Sequence, residues 1–193
     1  MNNKMKIKVC LQLLVFMIMI TSIGNAQAKY FTKAGAISFY SKTTVENIEA
    51  VNNKVVSIWD VATGQIEFAV LMKGFEFKKA LMQEHFNENY VESDRYPKAI
   101  FKGTIENSNN ISLIGDKKIT VKITGVLTMH GVTNPVNTNA TITIKNGVVA
   151  ASCSLEIQLS DYKINVPAVA AANISKRITI SVNILEYQLL PGK

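Results

Sequence analysis

Lys118-Ile119-Thr120-Val121-Lys122-Ile123-Thr124-Gly125-Val126-Leu127-Thr128-Met129 alternates apolar and polar side chains almost without a break. Side chains on an extended chain point to opposite faces with period two, so this stretch is a strand with one greasy side and one wet side. The alternation recurs where Ala151, Cys153, Leu155, Ile157 and Leu159 interleave with Ser152, Ser154, Glu156, Gln158 and Ser160. Ribbons of this kind are stable only when their apolar sides share an interior.

Working outward, Asn146-Gly147 is the strongest hairpin turn in the chain and joins Val136–Lys145 to Val148–Ser160. Ala62-Thr63-Gly64 joins Val55–Val61 to Gln65–Met72 in the same way. Lys29–Ser41, the segment following Pro97, a short piece at Ile111–Ile114, and Ile174–Gln188 also read as strands. Thr43–Lys54 reads as a polar connection, His130–Pro135 as a loop, and Asp161–Asn173 as a linker or one helical turn around Ala168–Ala172. Only between Phe77 and Asn87 does the period change: Leu81/His85 and Met82/Phe86 fall at i,i+4, which predicts a short amphipathic helix with those four residues facing inward. Asn87–Pro97 is then a polar loop. About eight strands joined by short turns, with one inserted helix, imply an all-β antiparallel barrel or sandwich. Eight strands in a closed barrel enclose room for side chains or for one slim ligand.

The first 28 residues fit a secretory leader rather than part of the fold. Lys4, Lys6 and Lys8 precede a short apolar run from Val9 to Ile20, and Ala26-Gln27-Ala28 matches a small-residue cleavage site. The run is too short to span a bilayer as a helix. This predicts export to the periplasm or beyond, with residues 29–193 forming one domain. The net charge of +7 would fall to +4 with the three leader lysines gone. That excess suits solubility or a passing contact with a membrane surface, and it is too diffuse for a nucleic-acid partner. Losing Cys10 leaves Cys153 alone, on the apolar side of its strand, where a buried inert thiol is expected.

Three stretches resemble the YceI-like family of secreted bacterial lipocalin-like barrels: Met72-Lys73-Gly74-Phe75-Glu76-Phe77 running on to Leu81-Met82-Gln83-Glu84-His85-Phe86; Tyr90 to Gly103 around Arg95-Tyr96-Pro97; and Gly125 to Val136 around Met129-His130-Gly131-Val132-Thr133. Ser160-Asp161-Tyr162 is a weaker fourth. The resemblance implies an eight-stranded lipocalin-like barrel whose interior binds an isoprenoid lipid, either a polyprenyl phosphate or an isoprenoid quinone. The chain departs from many relatives at Lys163 and in its first strand.

The inward sets supply the candidate ligand-binding residues. Ile66, Phe68, Val70, Met72, Phe101, Ile123, Leu127, Met129, Ile180 and Val182 would line the barrel, with Phe75, Phe77, Leu81, Met82 and Phe86 at its mouth or lid. These side chains either surround a hollow or fill it, and a filled barrel would make the protein a structural or stress-response envelope component without a ligand. His85 and His130 are candidates for metal ligands, for a base in a hydrolase or metal enzyme, or for contact with a phosphate or quinone oxygen, or are structural histidines, which the lack of metal-spaced partners favours. Arg95, Lys98 and Lys102 either attract an anionic head group or form a solvated rim. No nucleophile elbow, paired carboxylates, phosphate-cradling loop or metal-spaced His and Cys motif stands in the sequence, so a binding protein without catalytic, metal or cofactor chemistry is the expectation.

Overall fold

The computed structural model describes residues 28–190; the leader reading lies outside them. In chain order the elements are β1 (Lys29–Lys42), β2 (Asn47–Asp60), β3 (Gln65–Leu71), the two-residue β4 (Glu76–Phe77), α1 (Ala80–His85), β5 (Lys98–Ile105), β6 (Lys117–Met129), β7 (Val132–Lys145), β8 (Val148–Gln158) and β9 (Arg177–Leu189). Apart from β4, each strand pairs antiparallel with the next in sequence, and β1 pairs with both β2 and β9. The eight long strands therefore close on themselves, and no long edge is left to recruit another chain.

This up-and-down order sorts the connections to two ends. The turns after β2 and β7 and the 106–116 segment share one end with the start of β1 and the end of β9. The β1–β2 and β6–β7 turns, the insertion between β3 and β5, and the β8–β9 connection share the other. Asn146 and Gly147 both adopt left-handed φ (51° and 79°), the backbone that a two-residue hairpin turn requires.

Four expectations are corrected. Asn47–Lys54 belongs to β2 rather than to a connection. Its inward residues are Ile48, Ala50 and Asn52, and then the phase slips so that Val55, Ser57 and Trp59 point in. The slip coincides with irregular register opposite Gly35 of β1, and it breaks the alternation by which a strand is recognised. Ile111–Ile114 forms no strand; the chain instead makes a tight turn at Ser108–Asn110 and runs on irregularly. β7 begins at Val132, because His130 and Gly131 (φ 51° and 73°) form the whole β6–β7 turn, and Pro135 sits within the strand opposite Val126 with its ring facing solvent. The predicted helix divides: Phe77 joins β4, α1 is six residues long, and Phe86–Tyr90 continue as a wider-wound turn.

The end opposite the insertion is plugged. Trp59 is 1% exposed and stands edge-on to Tyr187, ring centroids 6.2 Å apart, with Tyr30 at 6.0 Å on its other side. Ile66, Ile105, Ile142, Ile144, Val149 and Ile184 pack around them. The polar atoms that this aromatic plug carries inside are satisfied. Trp59 Nε1–H donates to Ser108 Oγ (3.2 Å), Ser108 Oγ–H donates to the Val61 carbonyl (2.8 Å), and Tyr187 Oη shares a hydrogen with Ser57 Oγ (2.8 Å). Burial pushes the Tyr187 phenol up to about 12, so the ring stays neutral. Removing the indole leaves a void and takes from Ser108 Oγ the one donor it accepts from, leaving only its bond to the Val61 carbonyl. Trp59→Ala is expected to cost about 3–5 kcal/mol, read as a lower urea midpoint at unchanged slope.

Candidate functional site: a lidded apolar cavity

Above the plug the inward side chains do not meet. They surround a cavity of about 360 Å³ that runs from Trp59, Ile142 and Tyr187 up to the lid end. That size lies at the lower end of the range for sites that hold small organic ligands. The wall is almost wholly aliphatic and aromatic, with Ile66, Phe68, Val70, Met72, Ile123, Leu127, Met129, Ile180 and Val182 contributed by the strands. Phe101 is accommodated by a gap. Gly103 of β5 and Gly125 of β6 are directly paired, and the Phe101 ring lies over both, so that a methyl group at Gly103 would stand 2.6 Å from it.

The lid is an aromatic cluster. Phe39 of β1 stacks on Phe86 (5.3 Å) and contacts Phe75 (5.3 Å) and Phe77 (5.6 Å), while Phe77 and Phe86 are 5.1 Å apart. Such pairs add to plain burial through their edge and face electrostatics. Met82 and His85 of α1 complete this side of the mouth, Ser41, Glu46 and Ile48 form the next, and Ala170, Asn173 and Ile174 of the β8–β9 connection form the last. Ser175 N–H donates to Ser41 Oγ (2.9 Å), tying two of these sides together.

The lid insertion is held at both roots. At the first, buried Asn52 donates from Nδ2 to the Leu71 carbonyl (2.8 Å) and accepts the Lys54 N–H (2.9 Å), just where the chain leaves β3. At the second, His130 lies between two acceptors. Its Nδ1–H donates to the Tyr162 carbonyl (2.9 Å), and Nε2 lies 3.0 Å from Glu92 Oε1. Tyr96 packs edge-on against the imidazole at 4.8 Å, and Arg95 lies over Tyr96 while pairing with Glu92 at 3.5 Å. Glu92 and His130 both hold left-handed φ (45° and 51°), strain that the surrounding contacts must over-determine.

Of the residues read from sequence as ligand-binding, all but two face the cavity: Ile66, Phe68, Val70, Met72, Phe75, Phe77, Met82, His85, Phe86, Phe101, Ile123, Leu127, Met129, Ile180 and Val182. Leu81 does not. It is 61% exposed, because the face of the short α1 that meets the mouth carries Met82 and His85, followed by Phe86 in the next turn, and Leu81 projects beside it. His130 does not either; both its ring nitrogens are engaged in the root beneath the lid, which is a structural role. Lys98 and Lys102 stand away from the cavity, and Lys102 pairs with Glu67 on the outer surface. Sequence reading missed Phe39, the centre of the lid cluster, and the rim residues Glu46 and Asn173. Phe39 alternates with Ile37 in the first strand, which was signal enough to find it. No cluster of three or more His, Cys, Asp or Glu side chains suited to a metal ion occurs among the described residues.

These features define a class: an up-and-down β-barrel with one sealed end, one lidded end and a greasy interior between them. The chain belongs to the YceI-like family, whose domain model matches residues 25–185. Among solved structures it is similar to a polyisoprenoid binding domain from Saccharophagus degradans implicated in plant cell wall breakdown, at 14% identity and TM-score 0.73, over 85% of this chain and 99% of that one. It is also similar to BcnA of Burkholderia cenocepacia, at 16% identity and TM-score 0.64, over 78% of this chain and 94% of that one. No curated protein sequence matches it.

Two expectations follow. The hydrogen bond to His130 holds the Glu92 carboxyl below its ordinary value, and Arg95 adds to the pull. A carboxyl whose folded-state value is depressed contributes stability above its unfolded value and loses it as the pH falls through the folded one. Glu92→Gln should therefore lower the melting temperature at neutral pH, and its gap from the unsubstituted protein should close on acidification through and below the ordinary carboxylate range. Cys153 lines the cavity, and burial pushes its thiol up to about 11. A polar disulfide reagent at pH 8 should leave it untouched in the native protein and titrate it fully in denaturant.

Proposed function

We propose that this protein is an exported, non-catalytic binding protein that holds the chain of an isoprenoid lipid inside its barrel for transport, storage or sequestration. The observation that carries this reading is the hollow itself: a greasy space, closed below by the Trp59 plug, whose mouth is lined by adaptable Met and Phe side chains. A branched hydrocarbon gains about 0.8 kcal/mol for each methylene-sized group that it withdraws from water, so burial alone drives binding. The filled-barrel alternative is disfavoured by the same hollow. The polyisoprenoid-binding name of the Saccharophagus degradans neighbour supports the ligand class. The leader-like first 28 residues support an exported setting.

Of the two head groups, the neutral one fits better. Among the described residues the cavity lining includes neither Lys nor Arg, and its one carboxylate, Glu46, stands at the rim. A phosphate there would find no cationic partner on the wall, and the Lys79 ammonium beside the rim is already paired with Glu46 (2.9 Å). The His85, Ser41 and Asn173 side chains suit the carbonyl oxygens of a quinone or the hydroxyl of a prenyl alcohol.

Organic extraction of the purified protein followed by mass spectrometry tests the reading, with uptake of a long-chain isoprenoid quinone and of a polyprenyl phosphate measured side by side. A prenyl chain in the extract is expected, with tighter binding of the quinone. Val182→Trp, which fills the middle of the hollow, should reduce uptake at least about tenfold at a stability cost of no more than about 1–3 kcal/mol. An extract free of prenyl chains together with no uptake of either lipid overturns the reading.

A further inference from the structure

Three loops frame the mouth of the cavity, and each presents an apolar side chain to solvent. Val45 in the β1–β2 turn is 66% exposed, Leu81 on α1 is 61% exposed, and Val169 in the β8–β9 connection is 95% exposed. Each stands one residue from a side chain that lines the mouth: Glu46, Met82 and Ala170. Val169 belongs to Val166-Pro167-Ala168-Val169-Ala170-Ala171-Ala172, seven residues without a polar side chain, most of them exposed. A surface loop of that composition gains nothing from water. We propose that this ring of tips is a docking surface for a lipid bilayer, which seats the open end of the barrel in the head-group region so that a hydrocarbon chain passes into the cavity without crossing water.

The charges fit that occupant. Lys79 is matched to Glu46 (2.9 Å), and Lys78 lies 3.9 Å from Glu49. Lys42 and Lys176, which flank the β1–β2 turn and the β8–β9 connection, pair with no carboxylate among the described residues. Glu84 is the exposed acid on α1 nearest Leu81. Apolar tips backed by two free lysines are the pattern of an interfacial anchor: the tips enter the acyl boundary, and the ammonium groups stay among phosphates. A second copy of the chain fits less well, since three separate tips around an opening offer no flat, continuous face to bury. Ile114, at 84% exposed, lies at the plugged end, away from the mouth.

The purpose of docking rests on the lipid-carrier reading, but the surface is testable without it. The protein is mixed with phosphatidylcholine vesicles, with and without phosphatidylglycerol, and sedimented. The expected result is association with both, severalfold stronger with the anionic lipid. The variant Val45→Gln/Leu81→Gln/Val169→Gln, whose native fold is checked by its melting curve, should lose association by at least roughly tenfold, while Ile114→Gln binds like the unsubstituted protein. The triple variant should still take up a quinone delivered in detergent but take it up slowly from vesicles. Docking is overturned if the unsubstituted protein fails to sediment, if the triple variant sediments undiminished, if Ile114→Gln loses as much, or if the three changes instead dissolve a dimer. Sedimentation without uptake of lipid from any source leaves the docking surface standing and removes the carrier reading; uptake without sedimentation does the reverse.

Discussion

The structure depends on closure. β1 pairs along both sides, with β2 and with β9, and that double pairing turns a meander into a barrel. Once the sheet is closed, its inward side chains have only one another to pack against, and eight strands enclose more room than aliphatic side chains of this length fill at every level. The chain resolves this unevenly. At one end it uses its single tryptophan and two tyrosines to fill the bore, with Ser57 and Ser108 absorbing their polar atoms. At the other it covers the opening with an inserted segment packed on Phe39 of β1 rather than filling the bore. The cavity is what lies between these two arrangements.

That covering segment has too little structure to stand alone. α1 is six residues long with no side-chain cap, and an isolated helix of that length is not stable in water. Its position comes from the Phe39 cluster above and from the roots at Asn52 and at His130–Glu92 on either side. The polar side chains at the roots are thus as much a part of the binding apparatus as the greasy wall, although none of them faces the cavity.

Much of this was legible in the sequence where local chemistry and tertiary environment agree. β6 and β8 show clean alternation because one face is greasy and the other wet over their full length, and Asn146-Gly147 announces its turn. The wall residues followed from those faces. Legibility failed where a non-local partner reset a local rule. β2 was half missed because a register slip opposite Gly35 changes which residues point inward, and because Asn52 is polar for a reason that exists only once β3 ends beside it. The β6–β7 turn was hidden because His130 occupies a left-handed position usually marked by Gly or Asn. Leu81 was misplaced because helical periodicity gives the faces of a helix but not which face meets the barrel. His130 stayed open between a ligand contact and a structural role, because Glu92, its partner 38 residues away, carries no motif that links the two.

The facing glycines of β5 and β6 carry one more implication. A methyl group at Gly103 would approach the Thr124 carbonyl oxygen to 2.7 Å, and one at Gly125 would press on the Lys102 carbonyl, so at this height neither strand tolerates an inward side chain of its own. The girth of the bore along that seam is therefore governed by the orientation of one phenyl ring, that of Phe101, leaning in from the level above, on the lid side. A hydrogen-bonded sheet is stiff, whereas an aromatic side chain has staggered alternatives. At that height, room for a thicker guest depends on a single side-chain torsion rather than on the backbone.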